Sequence, residues 1–489
     1  MRGVSRDAVV DAAAYIDSWL SFRQRFDRIP GVQAAILHEG DVVLSAAHGL
    51  ADIESATPLT PDHRFRIASH SKTFTATAIM RLVEQGRLRL DDPVAQWLGG
   101  LADTPLAAVR VRELLAHGAG VVRDGWDGDF WQLARVFPDH DTLLGIATDD
   151  ASVLARNDRF KYSNIGYSLL GQVIESVTGQ TYAEHVADAI LDPLGLAATA
   201  PDIDVADVTG HATGYTGLGY ADRRLPIDHI ATGAMSAATG FSSTAGDLVH
   251  YASAHFLGDI RLLSDDSKRQ MQRAEWAVEG ASSWYGLGLA IAEIGTRRVV
   301  GHGGGFPGFI TRTWWDPVDR LALAVLTNAI DGPALRLANG AIRLLDLALH
   351  PDGAGTTADD AETDAETGVD LGSYCGRFAN LWGVIDVVAL GGRLYLLDPT
   401  ADDPVAAPAR LSVVDERTLK ITEAPGYASP GERLVNERDD DGRIRSMRGG
   451  SGSTSHPFDA VTLAAAGRRR RPTCRSRSRT TCRRCRRCR

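Results

Sequence analysis

Apolar and polar positions alternate in two different ways along the first 350 residues. In GVQAAILHEGDVVLSAAHGLAD, two apolar runs flank the polar turn at 39–41, which is typical of a β-hairpin. Between 71 and 85, apolar residues recur at helical spacing and a glycine follows. This pattern predicts a mostly buried helix that begins just after Ser69, while a short amphipathic helix is predicted before the hairpin.

Strand patterns return near the end of this region. They occur in WYGLGLAIAEIG, RRVVGHGG, FITRTWWD and LALAVLTNAI, and a last helix is predicted at 333–349. The middle, about 100–260, alternates short helices with Gly- and Asp-rich loops. Strands at both ends with helices between them predict one sheet assembled from the two termini, with an inserted helical lobe.

The C-terminal part differs in composition. The stretch PDGAGTTADDAETDAETGVD has a run of acids and one large aliphatic residue, which is typical of a solvated linker. Six short alternating strands punctuated by Gly, Pro and Asp then predict a small all-β barrel or sandwich. They are VIDVVAL, RLYLLD, RLSVVD, TLKITE, ERLVNE and IRSMRG. We therefore divide the chain into a first domain at 15–349, an acidic linker at 350–370, a β-domain at 371–463 and a disordered Arg- and Cys-rich tail at 464–489.

Charge is distributed unevenly over the 489 residues, which are 44% hydrophobic and 23% charged as in ordinary globular proteins. Twelve of the 52 basic residues lie in 468–489, where no acid occurs, so 40 basic residues face all 62 acidic ones in the remainder. Such an acidic body repels nucleic acid and anionic membranes, so we expect neither as a partner. Because neither a secretory signal nor an apolar run of about 20 residues is present, we expect a cytoplasmic protein.

Cysteines follow the same division. Only Cys375 lies in the body, so the fold does not depend on disulfides. The other four, in CRSRSRTTCRRCRRCR, have C-x-x-C spacings but no apolar residue to pack around a metal, and like charges crowd them. A basic interaction tail and a disordered or artefactual terminus remain as alternatives, and we expect no metal or cofactor.

The first candidate for chemistry is a serine–lysine pair. Lys72, the first of only four lysines, follows Ser69 by three residues. At a helix N-terminus this spacing puts both side chains on one face, so the amine can reach the hydroxyl. Serine needs an adjacent base to attack, and a desolvated lysine can lose its proton and act as one. The spacing alone fits equally well a capping serine with a solvated lysine.

Two further motifs follow in the sequence. Tyr162 and Asn164, in KYSNIGYSLLGQVIE, precede an apolar helix, where a phenol can relay a proton and an amide can hydrogen-bond the lysine. His302 begins H-G-G-G between two strand patterns. There, Gly303 and Gly304 would let a substrate backbone approach closely.

Gly305 ends this glycine run and offers a backbone N–H group. Paired with the N–H of Ser69, it would form an oxyanion hole. Taken alone, the Tyr162–Asn164 motif is commonly a turn with a packed tyrosine, and the H-G-G-G motif is commonly a glycine-rich turn.

Together, S-x-x-K, Y-x-N and H-x-G resemble the penicillin-binding-protein and serine β-lactamase family. The resemblance covers about 15–345 and includes GRLRLDDPVAQWL, VRVRELLAHGAG, YGLGL and GHGGGFPGF. It implies an α/β fold with an antiparallel sheet flanked by helices, plus an all-helical lobe. The C-terminal β-domain is similar to the lipocalin-like barrels that follow several members.

The resemblance also implies roles for the motif residues. Ser69 is the acylated nucleophile, Lys72 and Tyr162 share the general-base and general-acid work, Asn164 orients, and His302 lies across the cleft. Classical penicillin-recognising enzymes have a lysine in place of this histidine. Because a histidine with a pKa of about 6.5 is mostly neutral at pH 7, we expect no efficient β-lactamase activity.

Histidine versions of the motif resemble D-aminopeptidases, class C-like carboxylesterases, amide hydrolases and thioesterase-like peptide cyclases. The sequence therefore predicts a serine hydrolase acting on a small-molecule or peptide substrate through an acyl-enzyme, with D-amino-acid compounds among the candidates. Transfer of the acyl group to an amine, as in the cyclases, is one alternative. A ligand-binding scaffold with a silent cleft is another, and the oligomeric state is not predicted.

The loop VVRDGWDGDFW separates the first two motifs. If it overhangs the cleft, the carboxylates of Asp124, Asp127 and Asp129 could bind a substrate ammonium, and the rings of Trp126 and Trp131 an apolar side chain. The alternative is a solvated loop without a binding role.

Overall fold

The protein is described by a computed structural model that covers residues 6–125, 127–148, 151–220, 222–278, 280, 282–350, 369–380, 383–424, 430–449 and 454–458. Trp126, nearly all of the acidic linker and the Arg- and Cys-rich tail lie outside these residues. Within the described ranges, no helix has both the length and the apolar character to cross a membrane. The same ranges contain no group of three or more His, Cys, Asp or Glu side chains able to hold a metal ion.

The helices of the described chain are α1 Arg6–Phe26, α2 Ser71–Glu84, α3 Val111–Leu115, α4 His140–Thr148, α5 Asn164–Thr178, α6 Tyr182–Val186, α7 Asp192–Leu194, α8 Ser236–Thr239, α9 Ala245–Ser253, α10 Asp265–Met271 and α11 Ala334–Leu349. The strands that precede the linker are β1 Gly31–His38, β2 Asp41–Asp52, β3 Thr57–Pro58, β4 Phe65–Arg66, β5 Gly214–Tyr215, β6 Pro226–Ile227, β7 Ser242–Ser243, β8 Trp276–Ala277, β9 Ser283–Tyr285, β10 Ala290–Ile294, β11 Arg297–Phe306, β12 Phe309–Asp316 and β13 Leu321–Thr327. Helix α1 is longer than the short helix predicted at this end.

Nine of these strands form one antiparallel sheet in the described residues, in the order β3-β2-β1-β13-β12-β11-β10-β9-β8. The predicted β1–β2 hairpin is present, and Glu39 and Gly40 make its turn with positive φ angles of 50° and 99°. β1 pairs with β13 from Val32 opposite Thr327 onward, so strands from the two ends of the first domain are neighbours inside the sheet. The predicted sheet assembled from both termini is confirmed.

The helical lobe covers one face of the sheet, and α2 lies at its centre. Every residue of α2 from Ser71 to Met80 is buried. The ring of Phe74 stacks between those of Phe241 and Tyr251, with centroid separations of 4.6 and 3.9 Å. A helix held on all sides in this way fixes the residues at its N-terminus in a rigid position.

The described C-terminal residues form a closed barrel of eight antiparallel strands, as the fold prediction requires. Its strands are β14 Gly376–Asn380, β15 Gly383–Leu390, β16 Arg393–Leu397, β17 Ala409–Asp415, β18 Thr418–Glu423, β19 Arg433–Arg438, β20 Ile444–Arg448 and β21 Thr454–Pro457. The six predicted segments correspond to the strands β15 to β20. β14 and β21, which pair with each other and close the barrel, were not predicted.

The barrel packs on the other face of the sheet, against α1 and α11. Val388, Leu390 and Leu397 of the barrel belong to the same apolar core as Trp19 of α1. Arg23 of α1, whose side chain is 1% exposed, donates to the carbonyl oxygens of Thr400 and Ala401 at 3.0 and 2.6 Å. The barrel therefore supports the sheet from the side opposite α2.

Candidate active site

Ser69 lies in a single 3-10 turn, Ala68–His70, that leads directly into α2. Ala68 has a φ of 48°, in the left-handed region that non-glycine residues rarely adopt. The hydroxyl of Ser71 donates to the Ala68 carbonyl oxygen at 2.5 Å and stabilises this conformation. The strained turn keeps Ser69 partly accessible, while the two residues on either side of it are buried.

Lys72 lies one turn further along, and its side chain is fully buried. Its Nζ atom is 3.2 Å from Ser69 Oγ, 2.8 Å from Asn164 Oδ1 and 2.7 Å from the Ala238 carbonyl oxygen. The i, i+3 spacing thus brings amine and hydroxyl together as predicted. α5 and α8 supply the other two partners, which hold the amine in place.

The protonation state of Lys72 follows from this environment. Burial lowers its pKa well below the usual 10.5, and the nearby Asp124 carboxylate only partly opposes this effect. The lowered pKa favours the neutral amine. In that form the oxygens of Asn164 and Ala238, which can only accept hydrogen bonds, take its two N–H groups. The remaining lone pair then faces the hydroxyl of Ser69.

Tyr162 is a second side chain in contact with Ser69. Its hydroxyl donates to Ser69 Oγ at 2.8 Å, and Lys72 Nζ lies 4.8 Å from the centre of its ring. Burial raises the pKa of the phenol, and the hydrogen bond to Ser69 offsets only part of the increase. The phenol therefore stays protonated at neutral pH and can donate a proton.

Asn164 is the first residue of α5, and Ser163 caps that helix by accepting from the N–H of Gly166 at 2.8 Å. The Asn164 Nδ2 group donates to Asp124 Oδ1 at 2.7 Å. Asp124 also pairs with Arg123 at 3.1 Å, and its side chain is 16% exposed. The carboxylate predicted to bind a substrate ammonium is therefore already engaged, behind the amide that contacts Lys72.

Asp127, a second acid of this loop, lies elsewhere. Asp127 forms an ion pair with Arg135 and lines a cavity of about 610 Å³ together with Phe130 and Phe137. Neither Ser69 nor Lys72 lines that cavity. Asp127 is thus not brought together with the nucleophile, and Trp126 lies outside the described residues.

His302 is on β11, and it is buried with an exposed fraction of 6%. Its Nδ1 is 2.6 Å from the Gly303 carbonyl oxygen, and its Nε2 is 3.1 Å from the hydroxyl of Tyr285. Since a carbonyl only accepts, Nδ1 carries the hydrogen and Nε2 accepts from the phenol. Burial lowers the pKa of His302 well below 6.5, so the imidazole is neutral.

The edge of β11 is open along the glycine run. Pairing with β10 ends at Gly301, and the described residues provide no strand partner on that side for 302–306. Phe306 and Phe309 are paired across the two-residue turn that connects β11 to β12. Because backbone groups of successive strand residues point to opposite sides, the N–H of the neighbouring Gly305 points away from β12. This N–H therefore points to the open edge, as an oxyanion-hole donor must.

The other two glycines serve close contacts. A Cβ on Gly304 would lie 2.0 Å from the carbonyl oxygen of Ile67, two residues before Ser69, so only glycine lets β11 approach the nucleophile this closely. A Cβ on Gly303 would lie 2.7 Å from Nη1 of Arg312. Gly303 thus makes room for an arginine side chain.

Sequence reasoning gave no role to His117 or Tyr285, although both lie in segments used for the resemblance. The His117 ring centre lies 4.4 Å from that of Tyr162 and 4.9 Å from that of Tyr285, and its Nδ1 accepts from the N–H of Ser163 at 3.1 Å. These aromatic neighbours exclude water from the lysine. Only their position in HGAG and YGLGL, beside the recognised motifs, could have indicated them.

Comparison with known proteins agrees with this geometry. A family model described as beta-lactamase matches residues 21–347. A D-aminopeptidase of Brucella anthropi is 26% identical over 385 residues, which cover 74% of this chain and 70% of the relative. The chain spans 59% to 62% of the length of the next curated relatives that it matches.

Two solved structures are similar over most of their length. The octameric penicillin-binding protein homologue from Pyrococcus abyssi has a TM-score of 0.63 and 26% identity, covering 87% of this chain and 96% of that one. A D-stereospecific amidohydrolase from Streptomyces sp. has a TM-score of 0.58 and 25% identity, covering 71% and 99%. With its three motifs, its sheet and most of its length matched, the chain belongs to the beta-lactamase family.

Proposed function

We propose that this protein is a serine hydrolase that forms an acyl-enzyme at Ser69 on amide, peptide or ester substrates, with D-amino-acid derivatives as the first candidates. The observation that carries the proposal is the hydrogen-bond chain from Tyr162 through Ser69 to Lys72, with distances of 2.8 and 3.2 Å. The similarity to a D-aminopeptidase and to a D-stereospecific amidohydrolase supports the choice of D-compounds.

Acylation begins at the neutral amine of Lys72. Ser69 Oγ attacks the substrate carbonyl carbon, and its proton passes to the lone pair of Lys72 Nζ. The carbonyl π bond breaks, and the resulting negative charge on oxygen is stabilised by the backbone N–H groups of Ser69 and Gly305. Asn164 and Ala238 hold the ammonium that forms.

Collapse of the tetrahedral intermediate requires a proton on the leaving group. Tyr162, whose phenol stays protonated at neutral pH, donates this proton to the leaving nitrogen or oxygen as the bond to carbon breaks. The phenolate then recovers a proton from the ammonium of Lys72. The acyl-enzyme remains, with Lys72 neutral again and ready to serve as base a second time.

Water then attacks the acyl carbon and gives its proton to Lys72. As the bond to Ser69 breaks, the ammonium of Lys72 returns this proton to Ser69 Oγ, so the acid is released and the enzyme regains its starting state. An amine in the place of water would give a new amide by the same steps. The neutral, buried state of His302 supports substrates that need no fixed positive charge for a carboxylate, and so argues against efficient β-lactam hydrolysis.

The test is intact mass spectrometry of the full chain after exposure to a fluorophosphonate. We expect one adduct on the wild type and on Ser55→Ala, a control at an exposed serine, and none on Ser69→Ala. Labelling of Ser69→Ala would refute the proposal. No adduct on a wild-type protein that melts cooperatively would favour the ligand-binding scaffold.

A second measurement separates hydrolysis from transfer. D- and L-aminoacyl amides are supplied with and without an added amine, and the products are identified by mass. Free acid throughout is the expected result. A new amide that dominates when the amine is present would identify an acyltransferase.

A further inference from the structure

An apolar cleft of about 730 Å³ begins beside Gly305. Its walls come from segments far apart in the sequence: Trp131 before α4, Leu225 and Ile227 at β6, Phe306 at the end of β11, and Ile330 after β13. Among the described residues that line it, the polar side chains are those of a glutamine and a threonine, and none is acidic or basic. The volume is within the range of small-molecule sites, about 300–1,000 Å³.

The cleft adjoins the reacting centre at Gly305. Gly305, whose N–H faces the open edge of β11, is itself one of its lining residues. The preceding Gly304 lies against the carbonyl oxygen of Ile67, two residues before Ser69. A substrate that places its carbonyl oxygen at Gly305 therefore has this cleft next to its acyl carbon.

The wall at Phe306 is rigid. The Phe306 ring lies 5.9 Å from that of Trp131 and 6.2 Å from that of Phe137, and the Arg66 guanidinium lies 4.2 Å from its centre. Arg66 is fully buried and donates to the Ile230 carbonyl oxygen at 2.6 Å. Because these contacts hold Phe306 in place, little ordering of the wall is needed when an apolar group enters.

The opposite wall is positioned by the β5–β6 hairpin. A Cβ on Gly214 would lie 2.6 Å from the Phe309 ring and 3.0 Å from Gly308, so the hairpin is pressed against the turn that follows Phe306. This contact holds Leu225 and Ile227 over the cleft.

We infer that this cleft binds a large uncharged side chain on the acyl part of the substrate, aromatic or branched aliphatic. The inference rests on the proposed acyl-enzyme at Ser69. Since no carboxylate occurs among the described residues that line the cleft, a substrate ammonium is not bound inside it. The enzyme thus selects for apolar bulk next to the carbonyl carbon.

The test uses 4-nitrophenyl esters with one leaving group and acyl groups of rising size, from acetate to 3-phenylpropanoate. The constant leaving group assigns any difference in rate to the acyl side. We expect kcat/KM to rise at least about tenfold from the smallest to the largest ester, as filling an apolar pocket does.

Two variants of Leu225 test the location. This side chain is 41% exposed, so the protein tolerates Leu225→Trp, which fills the cleft, and Leu225→Ala, which enlarges it. Leu225→Trp should lower kcat/KM for the phenylpropanoate at least about tenfold and leave the acetate within about threefold, whereas Leu225→Ala should retain the preference for bulk. Ile260→Trp, at an 83% exposed site outside the cleft, should behave as the wild type.

Fluorophosphonate labelling of the same proteins distinguishes a failure of the cleft assignment from a failure of the proposed serine hydrolase. Normal labelling of Ser69 with equal rates for all esters, or with no effect of Leu225→Trp, would overturn the cleft assignment and leave the serine hydrolase intact. A wild type that does not label would overturn both.

Discussion

The contact between Asp124 and Asn164 leads to a quantitative prediction. An amide side chain presents an acceptor at one end and donors at the other, so it must be oriented to serve Lys72. Asp124 accepts from Asn164 Nδ2 at 2.7 Å, which directs Asn164 Oδ1 to Lys72 Nζ at 2.8 Å. Removing the carboxylate releases the amide to rotate, and the amine then loses a partner that holds it against Ser69.

The magnitude follows from the strength of the lost bond. A hydrogen bond to a charged group contributes about 1.5–3 kcal/mol, and the 16% exposure of Asp124 leaves little solvent to replace it. If the loss falls on the transition state, Asp124→Ala lowers kcat by about 10- to 150-fold, at 1.36 kcal/mol for each factor of ten. Asp124→Asn keeps a neutral acceptor, so it should retain more activity than Asp124→Ala.

The pH profile gives a second readout. Asp124 raises the pKa of Lys72, so its removal lowers that pKa further. Activity needs the deprotonated amine and therefore rises as pH passes through the lysine pKa. The acidic limb of kcat/KM should move to lower pH in both Asp124 variants, which a merely structural role would not produce.

The assay is steady-state kinetics on a D-aminoacyl 4-nitroanilide across pH, with thermal melts as a check on folding. Asp127→Ala removes an acid from the same loop that pairs with Arg135, and it should leave kcat and the profile unchanged. A raised KM for ammonium-bearing substrates, with kcat and the acidic limb unaffected, would refute this reasoning and restore the carboxylate to substrate binding.

Three more substitutions separate the roles of base, acid and barrel. Lys72→Met should lower kcat/KM by about 10²- to 10⁴-fold. Because folding lowers the lysine pKa, the contribution of Lys72 to wild-type stability rises with pH. In urea unfolding, the stability of the variant relative to the wild type should therefore be higher at pH 6 than at pH 9. Tyr162→Phe should lower amide hydrolysis by about 10²-fold or more and hydrolysis of a 4-nitrophenyl ester by less than about tenfold, since only the amide leaving group needs a proton; equal losses would contradict its role as acid. Arg23→Met should cost about 1.5–3 kcal/mol of unfolding free energy, the value of a hydrogen bond to a charged group, while Ser69 labels at the wild-type rate. The exposed Arg25→Met is its control, and a similar loss there would count against the barrel contact.

The sequence by itself determined the elements that depend on local pattern. Alternation predicted the β1–β2 hairpin and six barrel strands, and helical spacing predicted α2 with Ser69 and Lys72 on one face. It did not predict β14 or β21, because GRFAN and TSHP are short and lack clear alternation. Their strand character comes from pairing with each other to close the barrel, which is a contact between residues almost 80 positions apart.

Only the tertiary structure decided the chemistry of the site. The spacing of Ser69 and Lys72 allowed contact, but the lowered lysine pKa comes from burial under α5, α8 and an aromatic layer contributed by distant segments. The same packing brings Asp124, which the sequence shows only as a carboxylate in a loop, into hydrogen-bond contact with Asn164. Residue types and local periodicity are written in the sequence, whereas desolvation and the direction of hydrogen bonds arise only when remote segments pack together.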